Sequence, residues 1–167
     1  MAPLTYLAMD DAAAPPPGRH GLLGLTYRQV TALIALVNLF VATYLHLWKI
    51  GKVGALACGA GGGCHVVQFS PWSWFLGVDV ALIGAVGYTL ILITALIGST
   101  GGRDDARGPA VALAALIWPA FLFTLRLKYY EFLVLHSFCP WCAISAVSIT
   151  TLSVLAWLEL RRTRSAR

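Results

Sequence analysis

Four long apolar runs divide the chain, at about 30–48, 78–97, 109–135 and 139–158. At ~1.5 Å of rise per residue, each is long enough as a helix to cross a hydrocarbon core of ~30 Å. The pattern therefore predicts spanning helices at about 28–48, 78–98, 109–135 and 139–160, and an all-α integral membrane protein built as a four-helix bundle. Residues 1–26, with Asp10, Asp11, Pro15, Pro16 and Pro17 and no apolar periodicity, are read as a flexible tail. Residues 27–160 form the membrane domain, and 161–167 a basic tail. The stretch from Phe69 to Phe75 is too short to span. It is rich in aromatics, and Ser70 followed by Pro71 reads as the cap and first residue of a short interfacial helix.

Polar residues and breakers inside the runs refine this picture. Gly84, Ala85 and Gly87 predict close helix contact in the second run, and Pro119 a kink in the third. Asn38 is expected to hydrogen-bond a neighbouring helix. Lys128 and Glu131 have the spacing of a pair on one helical face, and that structural role is preferred to proton handling by Glu131.

Composition excludes a water-soluble globule: 59% of the 167 residues are hydrophobic, 11% are charged and the mean hydropathy is +0.77. The net charge of +5 does not point to nucleic acid, because the basic residues sit at the ends of the apolar runs and form no stripe. They read as topology. With an even number of spans both ends share a side with the 98–108 loop. That side holds Arg19, Arg28, Arg103, Arg107, Arg161, Arg162, Arg164 and Arg167, against Lys49, Lys52, Arg126 and Lys128 opposite. The termini are therefore expected in the cytoplasm of a multi-pass cell-membrane protein. The amino-terminal stretch has no charged and apolar succession of a cleaved signal peptide.

All four cysteines then fall on the extracytoplasmic side, where disulfides form and persist. Cys139-Pro140-Trp141-Cys142 stands where the fourth helix begins. Pro140 suits the first helical position, which makes Cys139 the cap and puts Cys142 in the first turn. There the helix dipole and unpaired N–H groups favour thiolate, the species that attacks disulfides. Cys58 and Cys64 flank a glycine-rich loop that leaves the backbone free to move. Three pairings of the four cysteines are open. If the pairs exchange, electrons from a soluble thiol protein enter at Cys58/Cys64 and collect on Cys139/Cys142, one turn into a membrane helix. A lipid-soluble quinone is the natural acceptor there. His136, just before the motif, is a candidate for passing protons to the reduced product.

A different class of reading is a zinc site in a structural or sensor protein, built from Cys58, Cys64, His65, Cys139 and Cys142. The oxidising compartment argues against it. Covalent haem needs a histidine where Ala143 stands, and no alternating strand and helix pattern surrounds Cys139 as in a soluble thioredoxin.

The set Cys58…Cys64, Val66-Val67, Ser70-Pro71-Trp72, Gly77, Leu82, Gly84, Gly87-Tyr88, Tyr129 to Glu131 and Cys139-Pro140-Trp141-Cys142 resembles bacterial homologues of vitamin K epoxide reductase. The resemblance covers about residues 30–158. It implies a four-helix bundle holding a quinone, menaquinone or ubiquinone, near the outer face. It also implies an active-site pair Cys139 and Cys142, with Cys142 nearest the quinone, and a shuttle pair Cys58 and Cys64. The quinone pocket it implies draws on Ser70, Trp72, Trp74, Phe75, Tyr88 and Trp141. Many bacterial members carry a thioredoxin-like domain after the fourth helix. Here the sequence stops at Arg167, so a DsbA-like thiol partner is expected to act in trans. The animal enzymes hold the naphthoquinone with an Asn and a Tyr at positions that align with Val80 and Ala146, which favours thiol oxidation by a simple quinone over epoxide reduction. The bacterial oxidase of DsbA shares the chemistry, but here the quinone-side pair heads the fourth helix. The expected activity is a membrane thiol:quinone oxidoreductase that generates disulfides outside the cytoplasm.

Overall fold

A computed structural model describes residues 25–56, 58, 63–100 and 106–165. The tail expected over 1–26 lies, up to residue 24, outside the described residues. So do glycines 59 and 61–62 of the cysteine loop, Arg103, Asp104 and Asp105 of the 98–108 loop, and the last two residues of the basic tail.

Four helices among the described residues are long and apolar enough to cross a membrane. Helix α1 (Tyr27–Lys49) opens with a reciprocal cap in which Gln29 N–H donates to Thr26 Oγ1 and Thr26 N–H to Gln29 Oε1. A short helix α2 (Gly63–Gln68) follows, then a single 3₁₀ turn (Pro71–Ser73). Strands β1 (Trp74–Phe75) and β2 (Val78–Asp79) pair antiparallel, Trp74 opposite Asp79. Leu76 and Gly77 both have positive φ, +52° and +79°, as a two-residue hairpin turn of primed type requires. This hairpin takes up Val78 and Asp79, so α3 (Val80–Ser99) begins two residues later than the apolar run suggests. Asp79 Oδ1 caps it by accepting the Ala81 N–H at 3.2 Å.

Helix α4 (Arg107–Tyr129) contains Pro119 and runs into a π turn (Tyr130–Val134), together one apolar span of 28 residues. Helix α5 (Pro140–Ser165) continues beyond residue 160 into the basic segment. Arg161 lies 3.6 Å over the Trp157 ring, Arg162 faces Tyr27 of α1, and Thr163 is buried, so packing extends the helix.

The spanning helices neighbour one another in the ring α1, α3, α4, α5, with α1 closest to α3 and α4 to α5. Small side chains fill the seams: Ala32, Ala35, Ala85, Ala95, Ala114 and Ala156 are buried, which lets the backbones approach. Large apolar residues point outward, Phe40, Leu122 and Val147 with about two-thirds of their surface exposed. A soluble bundle would not tolerate that, whereas lipid covers it. Gly84 faces Ala42 of α1 at contact distance. Gly87 does not serve helix contact, since a Cβ there meets nothing within 4 Å; it opens space inside the bundle instead. Asn38 also departs from expectation, because its Nδ2 donates to Ile34 O of its own helix, 2.9 Å away, and not to a neighbour.

At the end opposite the cysteines, Arg28 is buried and ties all four spans together. It pairs with Glu159 of α5 and donates to Gly98 O in α3 at 2.6 Å and to Ala106 O, just before α4, at 2.7 Å.

Candidate active site

The head of α5 follows from its first residues. Pro140 begins the helix, and the Cys139 sulfur takes the capping role, accepting the Cys142 N–H at 3.4 Å. The Cys139 N–H donates to Glu131 Oε1 at 2.8 Å, and the other carboxylate oxygen receives Lys128 Nζ at 2.6 Å. Glu131 is buried, so the π turn at the end of α4 fixes the position of Cys139. Cys139 and Cys142 are free thiols. The Cys139 thiol is lowered to about 7, chiefly by a hydrogen bond from the Cys142 thiol, with help from the backbone N–H groups of Cys142 and Trp141. Burial and the negative charge of Glu131 oppose the shift.

Cys58 and Cys64 form a disulfide. Cys64 is fully buried at the start of α2, and Cys58 is half-buried. Gly63 brings α2 against the active-site strand of chain: a Cβ at this position would lie 2.3 Å from the Phe138 carbonyl oxygen, so no side chain fits. The residues adjoining Cys64 and Cys139 are therefore in backbone contact. An aromatic cluster of Trp48, His65 and Phe69 anchors α2 to the end of α1, with His65 stacked on Phe69 at 4.4 Å.

At its other end α2 presents Gln68, whose Nε2 donates to the Cys142 sulfur at 3.3 Å. The Gln68 carbonyl accepts Ser73 Oγ at 2.5 Å. Lys49 Nζ, almost fully buried, donates to Ser73 Oγ at 2.9 Å and to Asp79 Oδ1 at 2.8 Å, while Asp79 Oδ2 meets His46 Nδ1 at 2.7 Å. Ser70 stands at the cap position of the 3₁₀ turn, but its hydroxyl does not cap. It donates back to Val67 O at 2.8 Å, a competing local bond open to serine.

Behind Cys142 lies a largely apolar cavity of about 430 Å³ bounded by all four spanning helices, within the size range of small-molecule sites. Of the residues singled out from sequence, Ser70, Trp72, Tyr88, Trp141 and Cys142 are in its wall. Trp74 and Phe75 are not. The Trp74 ring lies under Lys49 Nζ, and Phe75 packs on Phe123, itself a residue of the cavity wall. Trp72 stacks on Tyr130, with ring centres 3.7 Å apart, which joins the 3₁₀ turn to the π turn across the cavity. Tyr88 Oη and Ser145 Oγ are 2.8 Å apart. Val80 is in the wall, whereas Ala146 faces away and its neighbour Ser145 lines the cavity in its place. His136 is exposed, at φ +45°, and does not line it. The zinc reading would need thiolates at Cys58 and Cys64, and the disulfide consumes both.

Sequence reasoning passed over Gln68, Ser145 and the His46–Asp79–Lys49 group. Only Asp79 left a signal, as an aspartate at the leading edge of an apolar run, where a helix cap is expected. Residues 29–157, most of the chain, match the model of the Vitamin K epoxide reductase family.

Proposed function

The chain belongs to the vitamin K epoxide reductase family, whose members are membrane thiol–disulfide oxidoreductases, and we propose that it reduces a quinone with electrons drawn from an extracytoplasmic thioredoxin-like protein. The observation that carries this reading is the position of Cys142: its sulfur is in the wall of an apolar cavity within the bundle, while the partner thiol Cys139 is held beside the loop that carries Cys64. Apolar walls, a volume of about 430 Å³ and a thiol at the margin fit a quinone ring. A quinone bound there supplies an acceptor for two electrons and two protons.

The residues of the chain perform the exchange. A partner thiolate attacks Cys58, the less buried sulfur, and releases Cys64 as thiolate; the partner's second thiol then frees Cys58. The Cys64 thiolate attacks the Cys139 sulfur of an oxidised Cys139–Cys142 pair, forming a Cys64–Cys139 bond and expelling Cys142 as thiolate at the cavity wall. Cys58 next attacks Cys64, restoring the loop disulfide and releasing Cys139. A Cys139 thiol lowered to about 7 is a good leaving group at neutral pH. The loop disulfide with two free thiols at the head of α5 is the product of that sequence. The two thiols then give up two electrons and two protons as their disulfide re-forms. The excess of arginine at the opposite end supports an extracytoplasmic cysteine end.

Anaerobic quinone reduction by the purified protein, driven by a reduced thioredoxin-like protein, tests the reading. Wild type is expected to bleach quinone absorbance and Cys142→Ala to abolish the bleaching. Equal rates in the two proteins, or no reduction of either a benzoquinone or a naphthoquinone, would reject it.

A further inference from the structure

The cavity-side sulfur has a hydrogen-bond donor that comes from the shuttle loop and not from its own helix. We propose that Gln68 is a catalytic residue: its amide N–H donates to the Cys142 sulfur and stabilises it as the thiolate expelled when Cys64 attacks Cys139. The order of exchange in this statement rests on the thiol:quinone reading above; the contact itself does not.

Gln68 is buried, its Nε2 stands 3.3 Å from the Cys142 sulfur, and it lines the cavity beside that sulfur. It is held from both directions. Its carbonyl takes the Ser73 hydroxyl, which Lys49 holds in turn, and the far end of the same short helix is pressed on Phe138 through Gly63. A donor fixed in this way needs no reorganisation when charge develops on sulfur, the condition under which a hydrogen bond contributes most to a reaction. In the attack step the Cys64–Cys139 bond forms, the Cys139–Cys142 bond breaks, and the electron pair of the broken bond goes to the Cys142 sulfur. That sulfur is the atom Gln68 contacts. One helix thus carries both the attacking thiol, Cys64, and the donor that receives the leaving group, so undocking α2 removes both at once. The ionisable groups around Cys142 are Cys139 just ahead of α5, Lys128 at the end of α4, Tyr130 and Glu131 in the π turn, and Tyr88 on α3. None of them is altered by changing Gln68.

The test reads the thiol directly. In a Cys139→Ser background the loop disulfide leaves Cys142 as the free thiol among the three remaining cysteines, and its alkylation by N-ethylmaleimide follows the thiolate population. Gln68→Met, close in shape and without a donor, is expected to slow alkylation at neutral pH roughly ten-fold, the effect of one charge-assisted hydrogen bond. The deficit should narrow as pH rises and the thiol ionises without the donor. Gln68→Glu, which when ionised offers only acceptors and adds a like charge beside the sulfur, is expected to slow it at least as much. Unchanged alkylation in Gln68→Met, or a deficit that persists at high pH and so reports blocked access, would overturn the proposal. Since no quinone enters this assay, a protein that shows the expected alkylation and yet reduces no quinone would sink the thiol:quinone reading and leave the role of Gln68 standing.

Discussion

The two ends of the bundle both bury charge, but they use it differently. At the end away from the cysteines, Arg28 meets Glu159 and the carbonyls of Gly98 and Ala106, so its contacts fall on three other elements of the bundle and hold them together. At the cysteine end, the Lys49–Asp79 pair terminates on the Ser73 turn, and the Lys128–Glu131 pair on the Cys139 N–H. The first arrangement fixes helices; the second fixes the loops and turns that carry sulfur. Buried polar groups must be satisfied wherever they sit, so it is the identity of the partner atoms that separates a structural tie from an active-site support.

The largest effect is expected from breaking the structural tie. Glu159→Ala breaks the buried Arg28–Glu159 pair and should cost about 3–5 kcal/mol, read by denaturant unfolding in detergent. Quinone reduction per folded molecule should remain within about two-fold of wild type. Replacing both partners by apolar residues, as in Arg28→Met with Glu159→Leu, should recover most of the loss. A cut in specific activity matching the cut in stability would show that the two ends are not separable. A smaller effect on stability and a larger one on chemistry is expected at the other end from Gly63→Ala. The new methyl cannot enter the space taken by the Phe138 carbonyl, so α2 must shift, at about 1–3 kcal/mol. In a Cys58→Ala background, which traps the exchange, the Cys64–Cys139 crosslink should form more slowly with Ala at 63, as counted on non-reducing gels. An undiminished crosslink would mean that the close approach of α2 is not what brings the sulfurs together.

The difference between the ends also separates what was legible in the sequence from what was not. Span number, the basic flanks, the cap position of Cys139 and the pairing of Lys128 with Glu131 are local: each follows from spacing along one helix. The Arg28–Glu159 tie joins residues 131 positions apart, and Gln68 to Cys142 spans 74, so no periodicity connects them. Gln68 was hidden for a second reason. Short polar segments between spans read as loop, and the six residues of α2 are held by Gly63 and aromatic stacking, not by helix propensity. The resemblance places Trp74 and Phe75 with Trp72 at the pocket, and spacing along the chain does not reveal the hairpin that sets these two beside Lys49 and Phe123, outside the cavity wall.

The smallest effect is expected at Glu131, a carboxylate held beside a reactive thiol. Glu159 pairs with an arginine, whereas Glu131 accepts the Cys139 N–H while its negative charge opposes ionisation of the Cys139 sulfur. Glu131→Gln keeps an oxygen for that N–H and removes the charge. In wild type the Cys139 thiolate is present above pH about 7 and is lost as pH falls through that value. Removing a like charge favours the ionised form, so the midpoint in Glu131→Gln should move lower, by up to about one unit. Thiolate, and with it alkylation of Cys139 by iodoacetamide, then persists into more acidic solution. Fragmentation mass spectrometry, which separates Cys139 from Cys142 on one peptide, gives the profile. A midpoint that rises instead would mean that the carboxylate supports Cys139 chiefly by holding its backbone, and that this positioning outweighs its charge.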